Sequence, residues 1–154
     1  MEYISCNDER VWGADDAQTI QNAIDLAGRE GLDQVLIPRR NRRTGEAVWH
    51  IGRSIVLPSS MTVIVSGAYL RAADDLPVHV FCTEPQQEEL HDIRILGVGE
   101  AVIDGGRWTR ENRPEYYHEQ APDKYPDGCD YDLISLFNVR NFEVANLCIT
   151  NAKH

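Results

Sequence analysis

The polar segment 107–130 holds the densest set of side chains able to do chemistry. Aromatic residues lie there with arginines interleaved among them. Aromatic faces and hydrogen-bonding groups together bind sugars, and arginine pairs bidentately with carboxylates. The segment therefore predicts a loop that contacts an acidic sugar polymer, with candidate substrate-binding residues Trp108, Arg110, Tyr116 and His118. The alternative is a long surface loop with an aromatic cluster of its own.

Two acidic pairs, Asp15-Asp16 and Asp74-Asp75, are candidates for acid–base chemistry. Two neighbouring carboxylates can divide the roles of proton donor and base. The first pair precedes an amphipathic helix and the second lies in a predicted loop. We therefore expect helix-capping and solvated roles for these pairs, and we assign no catalytic residue.

Metal-binding patterns are weak in this sequence. The aspartates near the polar segment fail the EF-hand spacing and lack a closing glutamate; they are Asp123, Asp127, Asp130 and Asp132. The cysteines form no CxxC pair; they are Cys6, Cys82, Cys129 and Cys148. We expect no metal ion, no cofactor, and free thiols in preference to disulfides.

One basic block occurs, Arg-Arg-Asn-Arg-Arg at residues 39–43. Such a block attracts polyanions. It lies between two predicted strands and is followed by Thr44-Gly45, as in a turn. We expect a solvated turn, with polyanion binding as the alternative.

Composition indicates an ordinary globular chain. Its 154 residues predict a single domain. The net charge of −10 argues against nucleic-acid binding, and no apolar stretch approaches the length of a membrane span. The first residues are polar and resemble no signal peptide, which favours a cytoplasmic location over a secreted one.

Residues 15–30 form the strongest predicted helix. Ile20, Ala23, Ile24 and Ala27 make one apolar stripe. Asp15 is the expected N-cap residue, and Gly31 follows the last turn.

The rest of the chain predicts short strands in recurring pairs. The copies begin at Met61, Ile93 and Phe142, and the longer second interval contains the polar segment 107–130. A recurrence every 20 to 50 residues or so indicates stacked repeats. We expect Asn141, Asn146 and Asn151 at tight bends. The prediction is a coil of parallel strands, with a β-sandwich as the alternative.

These residues resemble a known family. The acidic pair before Ile-Gln-Asn-Ala-Ile (residues 20–24) resembles the opening helix of pectin-lyase-like proteins, although the glycine-rich lead is shortened to Trp12-Gly13-Ala14. The segments 35–38, 57–63, 95–99 and 103–106 match the same group, and residues 133–151 resemble its polygalacturonase branch. The resemblance implies an all-β fold, a right-handed parallel β-helix (solenoid) with an N-terminal capping α-helix.

We accordingly expect residues 1–154 to be the N-terminal part of a single β-helix domain. Its predicted parts are a helix cap at about 15–30, strands at about 34–106 and 132–151, and a loop insertion at about 107–130.

The implied function is hydrolysis of glycosidic bonds in pectic, galacturonate-containing polysaccharide. Such enzymes use one carboxylic acid as proton donor and another carboxylate to activate water. The family's Asn-Thr-Asp, Asp-Asp, Gly-His-Gly and Arg-x-Lys motifs do not occur here in a fitting context. We therefore expect this chain to be the N-terminal segment of such a hydrolase and to be inactive as given.

Two alternatives stay open: a polysaccharide lyase or epimerase on the same fold, and a non-catalytic glycan-binding protein. We expect polysaccharide or oligosaccharide as the partner, and neither nucleic acid nor membrane. Residues 147–150 would end the coil as an unpaired strand edge, which predicts self-association.

Overall fold

The structure is a computed structural model that describes residues 2–74, 78–84, 88–107 and 132–152. It contains a one-turn 3-10 helix, Glu9–Val11, and helix α1, Asp16–Arg29. The strands in chain order are β1 Ile4–Ser5, β2 Gln34–Pro38, β3 Val48–Ile51, β4 Ile55–Val56, β5 Met61–Ser66, β6 Tyr69–Ala72, β7 Phe81–Cys82, β8 Leu90–Val98, β9 Val102–Asp104, β10 Ile134–Ser135, β11 Val139–Ala145 and β12 Cys148–Thr150.

These strands form three parallel sheets. The first sheet has the order β1-β2-β5-β8-β11, the second β12-β9-β6-β3 and the third β10-β7-β4. From β2 onward the chain passes through the first, second and third sheets in turn. Every ladder among the described residues is parallel, which excludes the antiparallel β-sandwich for this part of the chain.

The predicted copies align in register. Met61 pairs with Ile93, and Ile93 pairs with Phe142, so the three predicted starts occupy one row of the first sheet. The row is continued on the second sheet by Leu70, Ile103 and Ile149. The recurrence seen in the sequence is therefore a spatial repeat of inward-facing apolar side chains.

Helix α1 forms where the sequence predicts it. The Asp15 side chain accepts a hydrogen bond from the Gln18 amide at 2.7 Å, which satisfies one of the free N–H groups of the first turn. The apolar stripe, including Ile20 and Ile24, is completely buried. Gly31 follows the helix with a φ of 71°, a left-handed conformation that suits glycine.

The prediction of an all-β right-handed parallel β-helix is wrong. The described residues form an α/β fold, with one helix and twelve strands in three parallel sheets. Helix α1 packs against β1, β2, β3 and β4, and its buried side chains belong to the same core as those of the strands. The helix thus contributes part of the core, which an all-β class does not include. The parallel ladders establish the strand order and the register, and these two properties alone do not define a right-handed β-helix.

Residues in the left-handed conformation bend the backbone both within strands and at the turns between them. Asn141, Asn146 and Asn151 have φ values of 60°, 60° and 55°, which confirms the predicted bends at asparagine. Ser60 and Asp92 have φ values of 58° and 57° and directly precede Met61 and Ile93. Short polar side chains tolerate this conformation because they bond to nearby backbone groups.

The two ends of the structure differ in burial. At the α1 end the apolar side chains are covered. At the other end Phe142, Val144 and Ile149 are 59%, 38% and 47% exposed, although their row partners on β8 and β9 are fully buried. Strands β11 and β12 have a ladder partner on one side only among the described residues.

Candidate functional site

The candidate substrate-binding residues of the polar segment are not placed by the structure. Trp108, Arg110, Tyr116 and His118 lie outside the described residues. At the start of that segment, the backbone N–H of Arg107 donates to Asp74 Oδ1 at 2.8 Å.

A groove crosses the outer face of the second sheet. Leu70 faces the core and is fully buried, so its neighbours Tyr69 and Arg71 face outward. The parallel register places Val48, Tyr69 and Val102 side by side on three strands. The open space above them has a volume of about 620 Å³. We call it the Tyr69 groove; its lining includes Arg39, Val48, Gly67, Tyr69, Glu100 and Val102.

Tyr69 is fixed in this groove by Asp104, which lies on the neighbouring strand. The Tyr69 hydroxyl donates to Asp104 Oδ2. Asp104 Oδ1 accepts two further bonds, from Asn151 Nδ2 at 2.9 Å and from the Gly106 amide at 2.8 Å. The aromatic ring therefore lies over the sheet with its hydroxyl held at one end, and the Tyr69 side chain is partly exposed.

The charge state of Asp104 follows from these bonds. Burial alone would raise its pKa, but the hydrogen bonds from Tyr69, Asn151 and Gly106 outweigh burial and lower it below the ordinary value for aspartate. The bond to the carboxylate also raises the pKa of the Tyr69 hydroxyl. Asp104 is thus an ionised acceptor and Tyr69 a neutral donor at neutral pH.

A second carboxylate, Asp74, lies beside this cluster. It accepts hydrogen bonds from the Arg107 amide and from the Arg71 guanidinium, the latter at 2.7 Å. These two bonds hold the pKa of Asp74 below its usual range, the Arg107 bond having the larger effect. Asp74 is exposed, and its predicted partner Asp75 lies outside the described residues.

These two carboxylates are suited to binding and positioning. A proton donor for glycosidic cleavage needs a raised pKa so that it is protonated near neutral pH. Asp74 and Asp104 both have lowered pKa values, and each accepts hydrogen bonds from neighbouring donors. The Tyr69 groove therefore supplies an aromatic surface with fixed charges beside it, and the lowered pKa values of Asp74 and Asp104 disfavour the role of general acid.

The other acidic pair has the structural role that its position at the helix predicts. Asp15 caps helix α1. Asp16 is buried and accepts three hydrogen bonds, from Asn41 Nδ2 at 2.8 Å, Arg43 Nη2 at 2.6 Å and the His50 amide at 2.7 Å. The pair joins the helix to the segment that leads into β3.

The predicted basic turn divides into two parts. Asn41 and Arg43 face inward to Asp16. Arg39, Arg40 and Arg42 are exposed. No carboxylate of the described residues forms an ion pair with these three guanidinium groups.

Other kinds of site find little support in the described part of the chain. No group of three or more His, Cys, Asp or Glu side chains there has the arrangement of a metal site. Cys6 and Cys82 are buried free thiols and Cys148 is an exposed one, while Cys129 lies outside the described residues. None of the helices described has the length and apolar character that a bilayer crossing requires.

Comparison with known proteins adds no assignment. No protein family, no curated protein and no solved structure matches the chain.

Proposed function

We propose that this protein binds a pectic, galacturonate-containing polysaccharide and serves in the hydrolysis of its glycosidic bonds. The activity rests on the sequence motifs that resemble the polygalacturonase branch of glycoside hydrolases. The one structural observation that supports it is the partly exposed Tyr69 ring, fixed by Asp104 in an open groove across three strands.

The groove suits a linear sugar chain for reasons of shape and chemistry. Tyrosine offers an apolar face and a polar edge at a small cost in conformational entropy. Parallel strands lie about 4.8 Å apart, so a groove across three of them extends roughly 10 Å between the outer two. Arg39 at the rim can pair with a uronate carboxylate.

The described carboxylates define what this part of the molecule contributes. Inverting hydrolysis requires an acid and a base about 6.5–9.5 Å apart, the acid with a raised pKa. Asp74 and Asp104 have lowered pKa values, so we assign them to the support of the groove. In this proposal Asp74 and Asp104 support the bound polymer and do not protonate the leaving group.

The binding part of the proposal is tested with Tyr69→Ala. Removing the ring should weaken binding of polygalacturonate by about tenfold or more, which corresponds to about 1.4 kcal/mol. Tyr3→Ala is the matched control, because Tyr3 is 50% exposed and does not line the groove. Isothermal titration calorimetry gives both dissociation constants. Equal affinities for the two variants would exclude the Tyr69 groove as the binding site.

The reaction class is tested by the products that the full-length protein forms from polygalacturonate. New reducing ends without an ultraviolet-absorbing unsaturated product support the hydrolase. A rise in ultraviolet absorbance would overturn it in favour of a lyase. Binding without any product would overturn it in favour of a non-catalytic glycan-binding protein.

A further inference from the structure

Three exposed arginines in the loop beside the Tyr69 groove have guanidinium groups that form no ion pair with the described residues. Arg39, Arg40 and Arg42 point away from the core, whereas Arg43 pairs with the buried Asp16. Several other arginines form ion pairs, such as Arg71 with Asp74. The protein has a net charge of −10, so three unpaired guanidinium groups within four residues are a distinct feature of its surface.

The loop that carries these arginines is held at several points. The Asn7 side chain donates to the Arg40 carbonyl at 2.8 Å and accepts from the Arg42 amide at 2.9 Å. The Asn41 amide donates to the Glu46 carbonyl at 2.9 Å, and the Asn41 side chain bonds to Asp16. Since the backbone is already ordered, binding through this loop loses less conformational entropy than binding through a flexible tail.

The position of the loop connects it to the groove. Arg39 belongs to the loop and also lines the Tyr69 groove, together with Glu100. An extended chain lying in the groove would therefore pass the guanidinium groups on leaving it. Glu100 would repel an anionic chain at the same place. Removing the charge of Glu100 should therefore strengthen binding of such a chain.

We propose that Arg39, Arg40 and Arg42 form a docking surface for an acidic polysaccharide, one that carries carboxylate or sulfate groups along a linear chain. Each guanidinium can form two parallel hydrogen bonds to such a group. The surface extends the Tyr69 groove. The inference names a second part of the binding site in the proposed function. It depends on that function only for the choice of a pectic polymer.

The test is a triple variant, Arg39→Gln, Arg40→Gln and Arg42→Gln, studied in the whole chain. Binding of de-esterified polygalacturonate and of dextran sulfate is measured by calorimetry at low and high salt. We expect the triple variant to lose about tenfold or more in affinity at about 50 mM salt and to show a weaker salt dependence. Glu100→Gln should bind the same polymers more tightly than the wild type.

The control carries the same change in charge elsewhere: Arg29→Gln, Arg94→Gln and Arg140→Gln. An equal loss of affinity in this control would overturn the proposal, because it would show a general effect of net charge. Unchanged binding by the loop variant, or no binding of either polymer by the wild type, would also overturn it. Equal affinity for a single-stranded oligonucleotide would overturn the assignment to polysaccharide.

The two proposals fail in different ways. Loop-dependent binding of dextran sulfate without binding of polygalacturonate would support the docking surface and overturn the pectic function. Binding of polygalacturonate that needs Tyr69 but not the loop arginines would support the pectic function and overturn the docking surface.

Discussion

At the scale of a single residue, Asp104 fixes the position of Tyr69 in the groove. One carboxylate accepts bonds from a side chain of β6, from Asn151 after β12 and from the turn that follows its own strand. It is almost fully buried, at 6% exposure. A buried acceptor with three donors fixes its surroundings, and loss of its charge leaves those donors poorly satisfied.

Asp104→Asn should therefore lower the free energy of unfolding by about 1–3 kcal/mol at neutral pH. The sign of the pH effect follows from the lowered pKa of Asp104. The stabilisation is complete above the ordinary aspartate pKa of about 3.9 and is lost as the pH falls through the lower, folded-state value. Urea unfolding measured from neutral pH down to acidic pH gives this dependence for the wild type and the variant.

The matched control is Asp33→Asn, because Asp33 is exposed. The difference in stability between wild type and Asp104→Asn should shrink at acidic pH, and the control should show little difference at neutral pH. A constant difference across the whole range would contradict the ionised, hydrogen-bonded role of Asp104.

At the scale of elements, the sequence predicted what depends on local pattern. The capping aspartate and apolar stripe locate helix α1, and the recurrence from Met61 to Phe142 locates one row of the first sheet. Strands β1, β4, β7 and β10 have two residues each, too short to show alternation, and the three-sheet arrangement depends on contacts distant in sequence. The prediction of an all-β fold was wrong because a periodic pattern does not show how much a helix contributes to the core.

The Tyr69 groove was not predicted from the sequence, and the predicted site residues lie outside the described part of the chain. Tyr69 and Arg71 flank the inward Leu70, so the alternation contained the signal that both face outward. The partner Asp104 lies on another strand, and nothing local joins it to Tyr69. The division of the basic block into inward Arg43 and outward arginines depends on the buried Asp16, which the sequence alone identified only as part of a helix start.

Gly97 and Gly105 test how closely neighbouring backbone segments pack against each other. A Cβ atom at Gly97 would lie 2.0 Å from the Asn146 carbonyl oxygen, and one at Gly105 would lie 1.8 Å from that of Asn151. Either substitution by alanine should lower the unfolding free energy by about 3 kcal/mol or more, because backbone must move. Gly28→Ala in helix α1 meets no atom within 4 Å and should raise it by about 1 kcal/mol.

Thermal unfolding of the three variants under one set of conditions checks these signs. Gly52→Ala is a further control outside the helix, since its Cβ would also meet nothing within 4 Å. If Gly97→Ala were as stable as Gly52→Ala, the close contact between Gly97 and the Asn146 carbonyl would be contradicted.

At the scale of the whole molecule, burial is uneven between the two ends. Helix α1 covers the core at one end. At the other, Phe142, Val144 and Ile149 occupy core rows yet stay exposed, on strands that have no ladder partner along one edge among the residues described. Such an edge is a template for pairing with another chain.

We predict that the 154-residue chain self-associates through this edge. Sedimentation velocity should show a species larger than the monomer whose proportion rises with protein concentration. Phe142→Lys with Val144→Lys should shift the protein to monomer, because lysine at an edge strand opposes pairing. Val98→Lys is the control, since Val98 is exposed on β8 and lies beyond the residues that pair with β11. A monodisperse wild-type monomer that melts cooperatively would contradict the prediction.

The same asymmetry governs how oxidation would act on the described cysteines. Burial raises the pKa of the Cys6 thiol far above its ordinary value, so near helix α1 almost no reactive thiolate exists. Cys148 lies exposed on β12. Of these two thiols, air or peroxide would reach Cys148 first, and a covalent link between two copies through it would join them at the ends remote from the helix.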